Sequence, residues 1–154
     1  MKLEINQPVP DFELIDDEGK AFRLYDVQEP LLIVFYPGDE TPVCTSQLCD
    51  YNDGIHLFRD LGVNVVGISK DGIESHQKFK KKYNLQFRLL TDPEGDVAQM
   101  FGCKTLLGTI NRAVFLVGKN KELLWYHKET LSVFRRTKEE LIAVIKKLKQ
   151  ENKI

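Results

Sequence analysis

Three short apolar runs constrain this chain more than any other feature. They are Leu31-Leu32-Ile33-Val34-Phe35-Tyr36, the stretch from Val63 to Ser69, and Ala113-Val114-Phe115-Leu116-Val117. The first is apolar at every position. As a strand it has no polar face to offer water, so it suits the middle of a sheet buried on both sides. Stretches with helical patterning separate the runs. Strand and helix in alternation imply one central sheet with helices packed on both of its faces.

The other elements follow in order. Residues 11–25 read as a hairpin: Phe12, Leu14, Phe22 and Leu24 alternate with polar positions, and Asp17-Glu18-Gly19-Lys20 supplies the turn. A helix starts at Pro42 and should reach about Phe58, with Leu48, Ile55, Leu57 and Phe58 available to the core. Gly54 inside it costs up to about 1 kcal/mol relative to Ala, which leaves room for a break or kink near there. A second helix spans Ile73 to Tyr83, with Ile73, Phe79 and Tyr83 as its apolar members, and a short strand follows from Phe87 to Leu90. Asp92-Pro93-Glu94-Gly95 turns into a helix of two turns ending at Gly102. Ala113–Val117 and Leu123–Tyr126 form a hairpin around Gly118-Lys119-Asn120-Lys121. Thr137 and Glu140 make a capping box for a last helix whose stripe is Leu141, Val144, Ile145 and Leu148. The predicted class is α/β, with an N-terminal β-hairpin, one central sheet flanked by helices, and the closing hairpin and helix of a thioredoxin-like fold.

A length of 154 residues suits a single domain over 1–154. The net charge of −1 argues against nucleic acid as a partner, because phosphate neutralisation needs a basic surface. Lys146, Lys147 and Lys149 read as a solvated helix face. The N-terminus has no apolar targeting core, and no stretch approaches the roughly 18 apolar residues of a membrane span. A cytoplasmic protein is expected. Three cysteines, Cys44, Cys49 and Cys103, do not make a disulfide scaffold in a chain of this size. His56, His76 and His127 show no metal spacing with each other or with Cys44 and Cys49, so no metal and no cofactor is expected.

Thr41-Pro42-Val43-Cys44 carries the strongest chemical content. Thr is a good N-cap, and Pro suits the first helical position because it lacks the N–H that would go unpaired there. Cys44 then lies in the first turn, among free N–H groups and at the positive end of the helix dipole. Such a position lowers a thiol pKa from about 8.5 toward or below neutrality. The Thr41 hydroxyl, three residues back, can face the sulfur across one turn. The residues alone leave a buried, inert cysteine as the alternative.

Pro37-x-x-x-Thr41-x-x-Cys44 resembles the active-site pattern of the peroxiredoxin (AhpC/TSA) family, and Tyr36 through Cys49 resembles its bacterioferritin-comigratory-protein, or Q-type, branch. Further matches are Pro10-Asp11-Phe12-x-Leu14, Val66-Gly67-Ile68-Ser69, Leu89-Leu90-x-Asp92, Gly95 through Gly102, and Arg112-x-x-Phe115-Leu116. The resemblance implies a thioredoxin-like fold and a thiol peroxidase acting on hydrogen peroxide and alkyl hydroperoxides. It implies Cys44 as the attacking thiolate, Arg112 as the cation that stabilises it and orients the peroxide, Thr41 as a donor, and Pro37 as a shield against water. Gln47 stands where relatives often carry Glu and is given a supporting polar role. The branch often has a second cysteine five residues after the first, as Cys49 is here, and this makes Cys49 the candidate resolving thiol.

The expected cycle is a Cys44–Cys49 disulfide re-reduced by thioredoxin or a similar dithiol protein, in a monomer or weak dimer. A one-Cys peroxidase without Cys49 resolution is the near alternative. Cys103, at a helix end, reads as a buried small residue, with a back-up resolving thiol as the alternative. A thioredoxin-type disulfide reductase would need Cys-x-x-Cys and a Pro before the strand at Ala113, where this chain has Cys-x-x-x-x-Cys and Asn111-Arg112. A binding module that has lost its chemistry would show an eroded site, whereas Pro37, Thr41, Cys44 and Arg112 are all present.

Overall fold

A computed structural model describes residues 3–129 and 135–154. The strands are β1 (Glu13–Asp16), β2 (Ala21–Arg23), β3 (Leu31–Phe35), β4 (Asn64–Ser69), β5 (Arg88–Thr91), β6 (Ala113–Val117) and β7 (Leu123–Lys128). The helices are α1 (Pro42–Asp53), α2 (Ile55–Asp60), α3 (Ile73–Tyr83), α4 (Asp96–Met100) and α5 (Lys138–Gln150). The sheet order is β2-β1-β5-β4-β3-β6-β7. Within it, β4-β3-β6-β7 is the thioredoxin-like core: β3 and β4 run parallel, and β6 and β7 run antiparallel to their neighbours.

The strand at the centre behaves as its composition requires. All five residues of β3 are buried. Leu32 and Val34 enter one core with Leu48, Phe58, Phe79 and Ile145. Leu31, Ile33 and Phe35 enter the other with Phe12, Phe101 and Phe115. The chain steps from β3 to β4 to β5 in one direction across the sheet. Right-handed crossovers therefore put the intervening helices on one face. Residues of α1, α2, α3 and α5 share the first core accordingly, and α4 covers the second together with the N-terminal segment.

The expected long helix is two helices. Gly54 ends α1 and stands ahead of α2, so the break falls on the glycine. Leu57, expected in the core, is instead 40% exposed: nine residues from Leu48 at about 100° each put it on the side of the helix opposite the buried stripe. The helix after Gly95 is shorter than expected, at five residues. The capping box at Thr137 and Glu140 forms as its spacing requires.

Two backbone details shape the functional edge, where β3 and β4 end and β6 begins. Glu40, in the loop between β3 and α1, has a φ of 60°, in the left-handed region that costs a non-glycine residue roughly 1 kcal/mol. Gly67 lies where a Cβ would meet Leu89 Cδ2 at 2.9 Å and Tyr36 Cε1 at 3.1 Å. Only a hydrogen fits between those side chains. Gly67→Ala is expected to lower unfolding stability by about 1–3 kcal/mol through overpacking, measured by urea titration. A change under about 0.5 kcal/mol, the level of a neutral surface substitution, would contradict this packing account.

Candidate active site

The loop from Tyr36 to Thr41 leaves the C-terminal end of β3, and α1 begins at Pro42 with Thr41 in the N-cap position. The first helical bond runs from Thr45 N to Thr41 O at 2.8 Å. The N–H groups of Val43 and Cys44 stand ahead of that ladder, at the positive end of the helix. Cys44 is fully buried.

Arg112 reaches the same point from the other side of β3. The β3–β6 register pairs Phe35 with Ala113, so Arg112 stands one step beyond, across from Tyr36. Its backbone is tied to the next strand, where Glu129 N donates to Arg112 O at 2.9 Å. The side chain is only 2% exposed. One guanidinium nitrogen, Nη2, donates to Cys44 Sγ at 3.2 Å, and Nη1 donates to Gln47 Oε1 at 2.6 Å. A guanidinium keeps its charge and presents its donors in a fixed fork, so it fixes sulfur and amide together.

The helix continues this chain of donors. Gln47 Nε2 donates to Tyr51 Oη at 3.1 Å, and Tyr51 Oη donates to Arg136 O at 2.6 Å. Cys44, Gln47 and Tyr51 are spaced i, i+3 and i+7, and so lie along one helix face. All three are buried. Burial holds the Tyr51 hydroxyl above its usual range, so it stays protonated and donates. Tyr51 was missed from sequence, although its spacing from Cys44 is visible there.

Of the residues singled out in the sequence, Cys44 and Arg112 are in contact, and Gln47 joins them. Thr41 occupies the expected position, but its hydroxyl donates to Gly38 O at 3.2 Å rather than capping a helix N–H. Pro37 follows Tyr36 in the same loop. Cys49 is on the same uninterrupted helix as Cys44 and half-buried at the margin of the first core. Burial first, and then the nearby Asp53 carboxylate, raise its thiol from an ordinary 9.0. Cys103 is buried in the second core among aromatic side chains, and burial pushes its thiol up to about 12.

A partly buried polar cluster flanks the loop and was not anticipated. Asp39, Ser69, Asp71, Ser75 and His76 bond to one another and to Tyr36. A cavity of about 450 Å³ lies instead at the opposite end of the sheet, lined by the first residues of β3, β4 and β5, Leu31, Asn64 and Arg88. None of its lining residues belongs to the Cys44 site. A peroxide needs only to touch one sulfur, so that cavity carries no weight against Cys44. Among the described residues, no helix is long and apolar enough to cross a membrane.

Over residues 5–126 the chain matches the AhpC/TSA family. It is 38% identical over 133 residues to peroxiredoxin Bcp of Bacillus subtilis (strain 168), a match covering 80% of this chain and 84% of that protein. It is 42% identical over 114 residues to the chloroplastic peroxiredoxin Q of Sedum lineare, covering 72% of this chain and 61% of that one. The crystal structure of peroxidoxin BcpB from Mycobacterium tuberculosis superposes with a TM-score of 0.83 at 29% identity, over 96% of this chain and 97% of the other. Sequence match, relatives and backbone agree: the chain belongs to the AhpC/TSA family, on the Bcp and Q branch of the peroxiredoxins, and is a thiol peroxidase.

Proposed function

We propose that the protein reduces hydrogen peroxide and organic hydroperoxides with Cys44 as the attacking thiolate and Cys49 as the resolving thiol. The observation that carries this reading is the 3.2 Å contact between Arg112 Nη2 and the buried Cys44 Sγ at the start of α1. In the first step a sulfur–oxygen bond forms and the peroxide O–O bond breaks. Sulfur is oxidised by two electrons to a sulfenic acid, and the leaving oxygen takes a proton to become water or an alcohol. The Val43 and Cys44 N–H groups and the Arg112 fork are the donors that bind the peroxide and meet the charge on the leaving oxygen. Thr41, whose hydroxyl proton goes to Gly38 O, offers its oxygen as an acceptor for the peroxide proton, and Pro37 keeps water from the sulfur.

In the second step the Cys49 thiol attacks the sulfenic sulfur, a disulfide forms and water leaves. Five residues apart on one helix, the two Cα atoms are about 8–9 Å apart and the side chains point about 140° apart around the axis. A disulfide tolerates up to about 7 Å. The first turns of α1 therefore unwind in each cycle and refold on reduction. Thioredoxin or a similar dithiol protein supplies the two electrons, leaving as a disulfide itself. The chain acts as a monomer in a reducing compartment such as the cytoplasm, where free thiols persist.

The raised Cys49 thiol gives this switch a pH dependence. Its contribution to the folded helix is fully present below the unwound-state value near 9.0 and is lost as pH rises through the higher folded value. A raised Cys49 thiol is mostly protonated at about pH 7. Disulfide formation after one peroxide pulse, followed by quenched-flow thiol counting, is therefore expected to accelerate between about pH 7 and pH 10 as the thiolate fraction grows. The loss of helix stability adds to the rise only above about pH 9. A flat profile would contradict the coupling.

Stopped-flow oxidation of the reduced protein by hydrogen peroxide tests the central step. The wild type should react orders of magnitude faster than a free thiol, and Cys44→Ser should abolish the reaction. Arg112→Met is expected to slow it by about 10²–10³, the loss typical of one transition-state donor. Cys49→Ser should leave the first step intact and stop turnover with thioredoxin. Unchanged turnover would replace this cycle with a one-Cys mechanism.

A further inference from the structure

We propose that Asp39 and His76 form a latch that positions the Tyr36–Thr41 loop and so sets how readily the first turns of α1 unwind. The proposal rests on the two-thiol cycle above. Neither residue touches Cys44 or Arg112 in the contacts described, so both are positioning residues.

The latch is built from opposite elements. Asp39 belongs to the loop, and His76 to the first turn of α3, 37 residues on. His76 is completely buried, and the Asp39 side chain is 2% exposed. His76 Nδ1 lies 2.8 Å from Asp39 Oδ2, and Nε2 lies 3.2 Å from Leu90 O. A carbonyl only accepts, so Nε2 carries a hydrogen, and the Nδ1–Asp39 proton ties the loop to α3 and through it to β5. The same carboxylate accepts from Ser75 Oγ at 2.8 Å and from Tyr36 Oη at 2.6 Å. Asp39 N donates to Asp71 Oδ2 at 2.8 Å, and Asp71 also accepts from Ser69 Oγ at 2.8 Å. No Ser oxygen contacts the imidazole in this set, which separates it from a nucleophile–base pair.

The loop needs such holding. Glu40, next to Asp39, sits at a φ of 60°, a conformation its own sequence does not favour. Its carboxylate meets Lys82 Nζ of α3 at 3.0 Å. Residues on or just before α3 thus grip Asp39 and Glu40, immediately ahead of the Thr41 N-cap. Beyond Cys49 the helix is held from another direction. Asp50 Oδ2 accepts from Lys138 N at 2.9 Å and from Arg135 Nη1 at 3.1 Å, and Tyr51 bonds Arg136 O. The segment between these two anchorages contains both cysteines. Releasing the upstream one frees Cys44 to move toward Cys49, while the downstream one keeps Cys49 in place.

The latch then governs a partition. The Cys44 sulfenic acid either loses water with Cys49 to form the disulfide, or meets a second peroxide and becomes a sulfinic acid, with the second peroxide reduced to water or alcohol. A tight latch favours fast attack and over-oxidation. A loose latch favours the disulfide.

His76→Leu removes both imidazole bonds, the one to Asp39 that holds the loop and the one to Leu90 O that fixes the ring. His76→Asn keeps a donor that can face Asp39 and is the partial rescue. Two readouts separate positioning from general destabilisation. One is amide hydrogen exchange over residues 37–45 of the reduced protein, without peroxide. The other is the disulfide-to-sulfinate ratio by mass spectrometry after a peroxide series. Loss of a buried charge-assisted hydrogen bond predicts roughly tenfold faster exchange in that segment and a similar shift of the ratio toward disulfide in His76→Leu, with β3 and β6 exchange unchanged. His76→Asn should show a smaller shift.

Ser75→Ala and Tyr36→Phe each remove one donor to Asp39 and carry the test if His76→Leu does not fold, with about threefold changes expected. Folded variants whose exchange and ratio both match the wild type overturn the latch. A wild type that does not react with peroxide, or forms no Cys44–Cys49 disulfide, refutes the two-thiol cycle instead. The exchange comparison on the reduced protein remains a full test of whether Asp39 and His76 hold the loop.

Discussion

The buried guanidinium of Arg112 against the Cys44 sulfur is the contact on which the rest of the site depends. A cation at 2% exposure is costly unless polar partners meet it. Here the sulfur and the Gln47 amide oxygen meet it at 3.2 and 2.6 Å. The contact exists because two parts of the chain 68 residues apart converge at one edge of the sheet. The β3–β6 register delivers the arginine, and the N-cap at Thr41 delivers the cysteine. Gln47 and Tyr51 extend the arrangement along α1 to the start of α5, so the geometry of the sulfur is tied to packing two helices away.

This arrangement sets two demands on α1 that pull in opposite directions. The helix must be intact for its N–H groups and Arg112 to surround the sulfur. In the proposed two-thiol cycle it must also come apart, because two cysteines five residues apart on one helix are too far apart to bond. The structure answers with fixed points at both ends of the segment rather than with a uniformly weak helix. Asp39 is bonded to α3 upstream, and Asp50 and Tyr51 are bonded to residues 135–138 downstream. Between them, Cys44 is the fully buried end and Cys49 the half-buried one.

Much of this was open to a reading of the residues. Runs such as Leu31–Tyr36 have only one stable environment, and the order of strands and helices leaves few topologies. Local chemistry also shows through where it is local. Gly54 breaks the helix, Thr137 and Glu140 cap α5, and Pro42 marks the start of α1. Misjudgements arose where a side chain's direction or surroundings are set by the path of the backbone or by a residue distant in sequence. Leu57 is apolar but lies off the Leu48–Ile55–Phe58 stripe, and it faces solvent. The Thr41 hydroxyl turns to Gly38 O because the loop curls under it. His76 drew notice in the sequence only for lacking metal spacing, yet it is completely buried against a carboxylate 37 residues away.

The sequence by itself determined the sheet, the helix start and the placing of a cysteine in its first turn. Those follow from periodicity, capping and the missing N–H of proline, which act over a few residues. Only the tertiary structure decided that Arg112 and Gln47 share the sulfur, that Tyr51 braces them, and that Asp39 and His76 hold the loop. Those contacts depend on strand register and on helix crossings. Both are fixed by the packing of two whole cores, so no short stretch of the chain encodes them.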